Sequence, residues 1–352
     1  MIKDIKHLNH KSAAIALNYC DLGIAYRCNL KCKMCYFWKS SPLGENNVVS
    51  IQGWMNILKE LNALHRSEEF MVNFSGAGEP FLREGFLDLI RYGRELNLKM
   101  QVISNGYAID KETASKIADS GLEFLCLSLD SLNSKTHDYL RGAEGAHAKV
   151  LSAIENIALF SKKIKIGINT VISKLNLKEI PELVEWVQNN EKISYINFQA
   201  IAQPFAYTEI PDERWFEAQE YRFLWPDDRE LIDKVMDKLI EFKGRKYKVA
   251  DNNAQFNAFR RYFFNPSTFI KQNRCNLAEA GILNIDPAGN VSICQLIGVM
   301  GNVKGAQRLE EILSSKNVVQ HKDRIIKCSR NCHLVVSCYF QDEKIKPLHN
   351  EK

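Results

Sequence analysis

The chain has 352 residues, of which 45% are hydrophobic and 25% charged, and it carries a formal net charge of +5. A chain of this size can bury one large core, or one core and a small second domain. The charge is spread without a block of like residues, which argues against a nucleic-acid partner, and no long apolar run predicts a membrane span. The first residues lack the apolar segment of a signal peptide, so we expect a cytoplasmic protein.

Short apolar segments alternate with amphipathic segments from residue 21 to about residue 201. Alternation of strands and helices at this rhythm is typical of a parallel sheet with helices outside. Six such units are fewer than the eight of a closed barrel, so we predict an α/β fold with a partial, TIM-like (β/α)6 barrel. The predicted strands are 21–26, 70–75, 99–105, 123–130, 165–172 and 193–201. The predicted helices are 50–65, 85–97, 110–121, 145–161 and 178–190.

Two of these helices carry end signals. Ser50 and Asp110 stand at N-cap positions, and Gly121 stands where the third helix must end. In sheets of this type the chemistry gathers at the C-terminal ends of the strands. We therefore expect the functional residues at those ends.

The pattern changes after residue 202. Residues 203–226 hold seven aromatic residues, and a second aromatic stretch covers 256–264. Further on, the sequence predicts a hairpin over 282–294 and a short helix over 309–315. We therefore predict three parts: a barrel at 1–202, an aromatic-rich insertion or linker at 203–272, and a small α+β domain at 273–352.

Most of the ten cysteines are clustered near the two ends of the chain. Disulfides rarely persist in the cytoplasm, so this clustering predicts metal sites. Cys28, Cys32 and Cys35 form a C-x3-C-x2-C loop directly after the first predicted strand. Three thiolates can hold three irons of a [4Fe–4S] cube and leave the fourth iron open for a small molecule. The alternative is a zinc knuckle or a set of buried thiols, although zinc sites favour C-x2-C pairs.

The loop CNLKCKMCYFW resembles the signature of the radical S-adenosylmethionine (SAM) superfamily, with Met34 at a position that is usually aromatic. The resemblance implies that the three cysteines bind a [4Fe–4S] cluster and that SAM chelates the open iron. In that family an electron from the cluster cleaves SAM to methionine and a 5′-deoxyadenosyl radical, which abstracts hydrogen from the substrate. By the same resemblance Tyr36, which follows the last cysteine of the loop, is assigned to cofactor binding.

The segment FSGAGEP follows the second predicted strand and resembles the Gly-Gly-Glu motif of the same family, with alanine at the second position. Glycines let a backbone approach a ligand closely, and a carboxylate offsets the charge of an ammonium group. The resemblance assigns contacts with SAM to Gly76, Gly78, Glu79 and Pro80. Taken alone, this segment could be an ordinary turn.

Polar residues end the third and fourth predicted strands, in VISNGY and LSLDS, and YLRG follows them. In relatives, polar groups at such strand ends hold the ribose and carboxylate of SAM. By this resemblance we assign Ser104 or Asn105, Ser128, and Arg141, whose guanidinium suits a carboxylate bidentately. For each of them the alternative is a polar strand end or a helix cap.

The C-terminal region resembles the twitch and SPASM extensions of radical SAM enzymes, which carry auxiliary [4Fe–4S] clusters. A full SPASM domain supplies seven cysteines for two clusters, and this region has five. We therefore predict one auxiliary cluster of twitch type, held by Cys275, Cys294 and two of Cys328, Cys332 and Cys338. The remaining thiol, for which Cys338 is a candidate, is a bystander, an alternative ligand or a proton donor. A structural zinc site is the alternative.

In relatives, an auxiliary cluster usually accepts an electron from a substrate radical or supports the assembly. We therefore expect a radical SAM oxidoreductase of dehydrogenase type, acting on a small polar molecule such as a sugar or aminocyclitol, with flavodoxin or ferredoxin as electron donor. The alternative is crosslinking, epimerisation or decarboxylation of a ribosomally made peptide. The short segment before the first strand leaves no room for a peptide-recognition domain, which favours the small molecule. A non-catalytic iron–sulfur electron carrier is a third hypothesis, but it gives no role to SGAGEP or to an open iron.

Overall fold

The computed structural model describes residues 17–35, 37–38, 47–204, 214–266, 277–305 and 307–328. Its strands are β1 Tyr19–Leu22, β2 Met71–Phe74, β3 Lys99–Ser104, β4 Phe124–Ser128, β5 Lys165–Ile172, β6 Ile193–Ala200, β7 Ile282–Ile285, β8 Asn290–Ser292 and β9 Gly301–Asn302. Its helices are α1 Ile51–Leu64, α2 Phe86–Glu95, α3 Lys111–Ser120, α4 Ser134–Arg141, α5 Ala146–Phe160, α6 Ile180–Asn189, α7 Arg229–Gly244, α8 Asn253–Phe264, α9 Leu309–Leu313 and α10 Lys316–Ile326. None of these described helices is long and apolar enough to cross a membrane.

All described strands belong to one sheet in the order β6-β5-β4-β3-β2-β1-β7-β8-β9. Strands β1 to β6 are parallel neighbours, joined by crossovers that carry helices α1 to α6. The six predicted barrel strands are therefore confirmed, and their C-terminal ends lie at one edge of the sheet. The first strand occupies Tyr19–Leu22 rather than residues 21–26, because its pairing with β2 starts at Tyr19 and Met71.

The predicted helix ends are confirmed by their hydrogen bonds. The Gly53 amide donates to the Ser50 hydroxyl at 3.0 Å, and the Thr113 amide donates to the Asp110 carboxylate at 2.8 Å. Gly121 ends α3 with φ at +79°, in the left-handed region that glycine adopts without strain.

Helix α4 was not predicted from the sequence. It is short and polar, and only His137, Leu140 and Arg141 among its residues are buried. The buried residues follow the i, i+3, i+4 spacing of a helix face, but two of the three are polar and eight residues allow only one such repeat, so the hydrophobic signal in the sequence is weak. This helix is nevertheless one of the elements that build the site described below.

The predicted hairpin is present and extends the barrel sheet. Strand β8 runs antiparallel to β7, and the Asp286 amide donates to the Asn290 carbonyl at 3.1 Å across the turn. Strand β7 pairs in parallel with β1, with Asp21 opposite Asn284. The strands of the predicted third part thus continue the same sheet as the barrel, and the division into three parts stays a prediction.

Several aromatic residues of the predicted insertion pack together next to the end of β6. The Trp225 ring lies 5.7 Å from the Trp215 ring and 5.1 Å from the Tyr262 ring, both edge-on. The Tyr262 hydroxyl donates to the Ile201 carbonyl at 3.2 Å. These residues are buried, so they fix α8 against the strand end by packing.

A buried carboxylate in this region gives a pH-dependent prediction. Asp251 accepts a hydrogen bond from the Phe198 amide at 2.8 Å, and burial raises its pKa from 3.8 to about 7. The unfolded chain therefore ionises this group at lower pH than the folded protein does, so its contribution to stability declines as pH rises from about 4 to about 7. We expect the stability of Asp251→Asn relative to wild type to increase by about 1–2 kcal/mol between pH 5 and pH 8.

Urea unfolding midpoints of both proteins at the two pH values measure this difference. Glu112→Gln, at an exposed position of α3, is the matched control and should show the same difference from wild type at both pH values. A difference for Asp251→Asn that stays constant with pH would mean that Asp251 is ionised in the folded protein.

Candidate active site

The C-terminal ends of β1 to β4 meet at a pocket of about 160 Å³. The loops that leave these strands carry most of the residues assigned from the sequence, and the pocket brings ten of them together. These are Cys28, Cys32, Cys35, Gly76, Gly78, Glu79, Ser104, Asn105, Ser128 and Arg141. Tyr36 lies outside the described residues, and Pro80 is buried at the start of a short 3-10 helix beside the pocket.

The rest of the pocket wall is largely apolar and was not predicted. It consists of Leu30, Met34, Phe37, Trp38, Ala77 and Ile103. Phe37 and Trp38 lie two and three residues after the third cysteine, so their place in the sequence could have suggested this role. The indole of Trp38 donates to the Cys32 carbonyl at 3.2 Å, which fixes the wall against the cysteine loop.

The glycine loop after β2 lies directly on the chain that leaves β1. A Cβ atom at Gly78 would lie 2.4 Å from the Arg27 carbonyl oxygen and 2.7 Å from the Ala25 carbonyl oxygen. Both distances are shorter than any real contact, so only glycine fits there without a shift of backbone. The Glu79 amide donates to the Arg27 carbonyl at 2.9 Å and fixes this packing.

Glu79 is buried in the pocket wall and both of its carboxylate oxygens accept hydrogen bonds. The Ser104 hydroxyl donates to Oε1 at 2.7 Å, and the Asn105 amide donates to Oε2 at 2.9 Å. Burial raises the pKa of Glu79 above its usual value, and these hydrogen bonds counteract that rise. Ser104 therefore positions the Glu79 carboxylate, to which the family resemblance assigns contact with the ammonium group of SAM.

Asn105 joins the end of β3 to the cysteine loop. Its side-chain amide donates to the Asn29 side-chain oxygen at 2.8 Å and lies 3.9 Å from the Cys28 sulfur. The Tyr107 amide donates to the Asn105 side-chain oxygen at 2.9 Å and holds it in place.

The end of α4 packs against the same loop from the other side. The Lys33 amide donates to the Leu140 carbonyl at 2.8 Å. A Cβ atom at Gly142 would lie 2.2 Å from the Lys31 carbonyl oxygen, which shows how close the two backbones are. Helix α4 is therefore a support of the cysteine loop, and it places Arg141 beside Cys32.

Arg141 is buried and forms an ion pair with Asp130, whose side chain is fully buried, with 2.7 Å between Nε and Oδ2. The second oxygen of Asp130 accepts from the Val171 amide at 3.1 Å. The positive charge of Arg141 lowers the pKa of Cys32, although burial raises that pKa by more. The Nη2 atom of Arg141 is buried and has no hydrogen-bond partner among the described residues.

The three cysteines are favoured as neutral thiols by their surroundings. Burial raises the pKa of Cys28 and of Cys35 to about 11 each. A bound metal replaces the thiol proton, because cysteine coordinates as the thiolate. In the described part of the chain, no group of three or more His, Cys, Asp or Glu side chains is arranged to hold a single metal ion. In a [4Fe–4S] cube each cysteine binds a different iron.

These features fit a cluster with a small polar cofactor beside it. Three thiols line one side of the pocket, and backbone packs closely at Gly78 on another side. Two charged groups are available to such a cofactor. The buried carboxylate of Glu79 suits its amino end, and the buried guanidinium nitrogen of Arg141 that has no partner among the described residues suits its carboxylate end.

Two of the five C-terminal cysteines lie in the described part of the chain. Cys294 follows β8, and its amide donates to the buried His321 side chain of α10 at 3.3 Å. Cys328 follows the end of the same helix. Cys275, Cys332 and Cys338 lie outside the described residues, so the auxiliary cluster stays a prediction.

Comparison with known families agrees with this geometry. Residues 22–187 match the sequence profile of the radical SAM superfamily, a span that runs from the end of β1 into α6. The chain contains a radical SAM domain. The predicted radical SAM domain and the predicted α/β partial-barrel fold are confirmed.

Several curated proteins match over about half of this chain. Fe-coproporphyrin III synthase of Methanosarcina barkeri is 33% identical over 172 residues, which cover 49% of this chain and 41% of that protein. PqqA peptide cyclase of Rhodopseudomonas palustris is 28% identical over 169 residues, covering 47% and 42%. The matched segments thus span less than half of either relative.

Solved structures match the fold over most of the chain. The crystal structure of Streptococcus suis SuiB superposes with a TM-score of 0.65 at 18% identity, covering 92% of this chain and 72% of SuiB. This likeness extends beyond the radical SAM domain into the part of the chain that carries β7 to β9.

Proposed function

We propose that this radical SAM protein cleaves SAM reductively, abstracts a hydrogen atom from a small polar substrate such as a sugar or aminocyclitol, and oxidises the resulting radical through one auxiliary [4Fe–4S] cluster. The observation that carries the proposal is the pocket in which the three loop cysteines meet Glu79, Asn105, Ser128 and Arg141. Zinc sites and electron carriers have no use for such a polar cofactor wall next to three thiols.

Each residue of the pocket has a role in this proposal. Cys28, Cys32 and Cys35 would hold the cluster, and the backbone at 76–78 together with Glu79 would bind the SAM ammonium group. The orphaned nitrogen of Arg141 is available to the carboxylate, and Ser128 lies at the next strand end. When bound, the cluster and SAM supply a 5′-deoxyadenosyl radical. The apolar side chains of Phe37, Trp38 and Ile103 would exclude water from that radical.

The interior of the barrel supports a polar substrate. The Asn197 side chain donates to the Asn169 side-chain oxygen at 2.8 Å, and the Cys126 thiol lies 3.6 Å from the Asn197 oxygen. These three residues lie on neighbouring strands. These hydrogen-bonding side chains suit a substrate with hydroxyl or amine groups better than an apolar substrate.

The oxidation removes two hydrogens from the substrate. The first leaves as a hydrogen atom and the second as a proton, and the substrate radical gives up one electron. The auxiliary cluster predicted at Cys275, Cys294 and two of the last three cysteines would take that electron, and a flavodoxin or ferredoxin would supply the first one. A reducing cytoplasm would keep all of these cysteines available as thiols.

Modification of a peptide is the second candidate. It is supported by the similarity to a PqqA peptide cyclase and by the fold shared with SuiB, which has also been solved bound to the precursor peptide SuiA, with a TM-score of 0.65. Both candidates begin with the same cleavage of SAM and differ in the substrate.

Metal analysis of the anaerobically reconstituted chain tests the assignment of both clusters. A radical SAM cluster and one auxiliary cluster together predict about eight irons and eight sulfides per chain. A value of about four would contradict the auxiliary cluster, and stoichiometric zinc in place of iron would contradict both.

A further inference from the structure

Asp21 lies inside the barrel, below the pocket. On β3, Met100 packs against Gly93 of α2, whereas Ile103 lines the cysteine pocket, so odd-numbered residues of this strand face the interior. Gln101 is in register with Asn73, and Asn73 is in register with Asp21. Side chains in register share a face, so Asp21 and Asn73 also point into the barrel. Asp21 keeps some accessible surface, whereas its neighbours Cys20 and Leu22 are fully buried.

The hydrogen bonds at Asp21 converge on one of its oxygens and leave a neighbouring buried acceptor without a donor among the described residues. The Asn73 amide donates to Asp21 Oδ1 at 2.8 Å, and the Ser75 hydroxyl donates to the same oxygen at 2.6 Å. With Asp21 ionised, the opposite amide orientation would place the Asn73 carbonyl oxygen against the carboxylate. Asn73 is only 1% exposed, and its Oδ1 atom has no hydrogen-bond partner among the described residues.

No positive charge of the described chain compensates this carboxylate. Burial raises the pKa of Asp21, and the hydrogen bonds from Ser75 and Asn73 are the groups that oppose the rise. A carboxylate that is largely removed from water is normally stabilised by a cation or by donors to both oxygens. The surroundings of Asp21 and Asn73 therefore favour a ligand group that is a donor and carries a positive charge.

We propose that Asp21 and Asn73 bind a protonated amine of the substrate inside the barrel. An ammonium group brings several donors and a positive charge, which match the unfilled acceptor of Asn73 and the uncompensated charge of Asp21. Ser75, which holds Asp21, directly precedes Gly76 of the pocket wall, so the amine site lies roughly two residues, or about 7 Å, below the pocket floor. This inference rests on the proposed function and names the group by which the substrate is recognised.

Thermal-shift titration of the reconstituted protein with matched probes tests this site. Glucosamine is compared with glucose, and a blocked lysine amide with a blocked norleucine amide, because the amine could belong to a sugar-like molecule or to a peptide. We expect at least one amine to bind about ten-fold more tightly than its neutral match in the wild type. The pair that shows the preference identifies the source of the amine.

The variant Asp21→Asn should abolish this preference. The matched control Asp251→Asn removes another buried carboxylate, one that accepts from the Phe198 amide, and should retain the preference. Equal binding of amine and neutral probes by the wild type, or a preference that survives in Asp21→Asn, would overturn the proposal.

Formation of 5′-deoxyadenosine by the same wild-type sample is measured in parallel. Its absence would refute the proposed function, whereas its presence without amine preference would refute only the amine site.

Discussion

Replacing Gly78 with alanine is expected to reduce reductive SAM cleavage by at least about 100-fold, because misplacing a binding group by about 1 Å has effects of this size. The new methyl group would lie 2.4 Å from the Arg27 carbonyl oxygen, so the glycine loop would have to move away from the cysteine loop. That movement would break the hydrogen bond from the Glu79 amide to Arg27 and displace the carboxylate from the pocket wall. We also expect overpacking to cost about 1–3 kcal/mol of stability.

The assay is 5′-deoxyadenosine release by the reconstituted variant under reducing conditions, with iron content measured on the same sample. Gly244→Ala is the control, because a Cβ atom at that helix end would meet no atom within 4 Å. It should match the wild type in rate and in stability to within about 1 kcal/mol. A Gly78→Ala variant with wild-type rates would show that the loop does not contact the cofactor.

Breaking the buried ion pair behind the cysteine loop is expected to destabilise the protein by about 3–5 kcal/mol. In Asp130→Asn the guanidinium of Arg141 stays buried beside Cys32 but loses its counter-charge. Since the side chains of Arg141 and Asp130 are 10% and 0% exposed, water cannot replace the lost partner easily. The end of α4, which holds the cysteine loop, should loosen as a result.

Unfolding midpoints in urea measure this cost. The variant Glu112→Gln breaks an exposed pair with Lys116 and should cost no more than about 0.5 kcal/mol. The double variant Asp130→Asn with Arg141→Met, which removes both charges, should recover part of the loss. A cost for Asp130→Asn as small as that for Glu112→Gln would show that Arg141 and Asp130 do not stabilise the loop.

Local signals made the barrel predictable from sequence. Strand β5 has the predicted bounds, and the caps at Ser50 and Asp110 mark helix starts because their side chains bond the next turn within a few residues. The site was predictable because its residues follow strands whose C-terminal ends share an edge. The motifs at these strand ends include the cysteines, Glu79 and Asn105, which the structure brings together in one pocket.

Features that depend on distant residues were not predictable. The start of β1 at Tyr19 depends on its pairing with Met71 of β2, and its pairing with β7 joins residues more than 250 positions apart, as between Tyr19 and Ile282. Arg141 was assigned to a ligand carboxylate, but its pairing with Asp130, 11 residues earlier, depends on how α4 folds back toward the end of β4 and carries no sequence motif. Asp21 carries no motif, and its significance arises only from the geometry of Asn73 and Ser75 across the neighbouring strand.

The central claim is that the loop cysteines hold the cluster that cleaves SAM. It is tested most directly by 5′-deoxyadenosine formation in wild type, Cys28→Ala and Cys20→Ala, all reconstituted anaerobically and reduced in the presence of SAM. Cys20 is buried in the core of β1 and serves as a cysteine outside the pocket. We predict product from wild type and Cys20→Ala, and none from Cys28→Ala. Product from Cys28→Ala at the wild-type rate, or none from the wild type, would contradict the assignment.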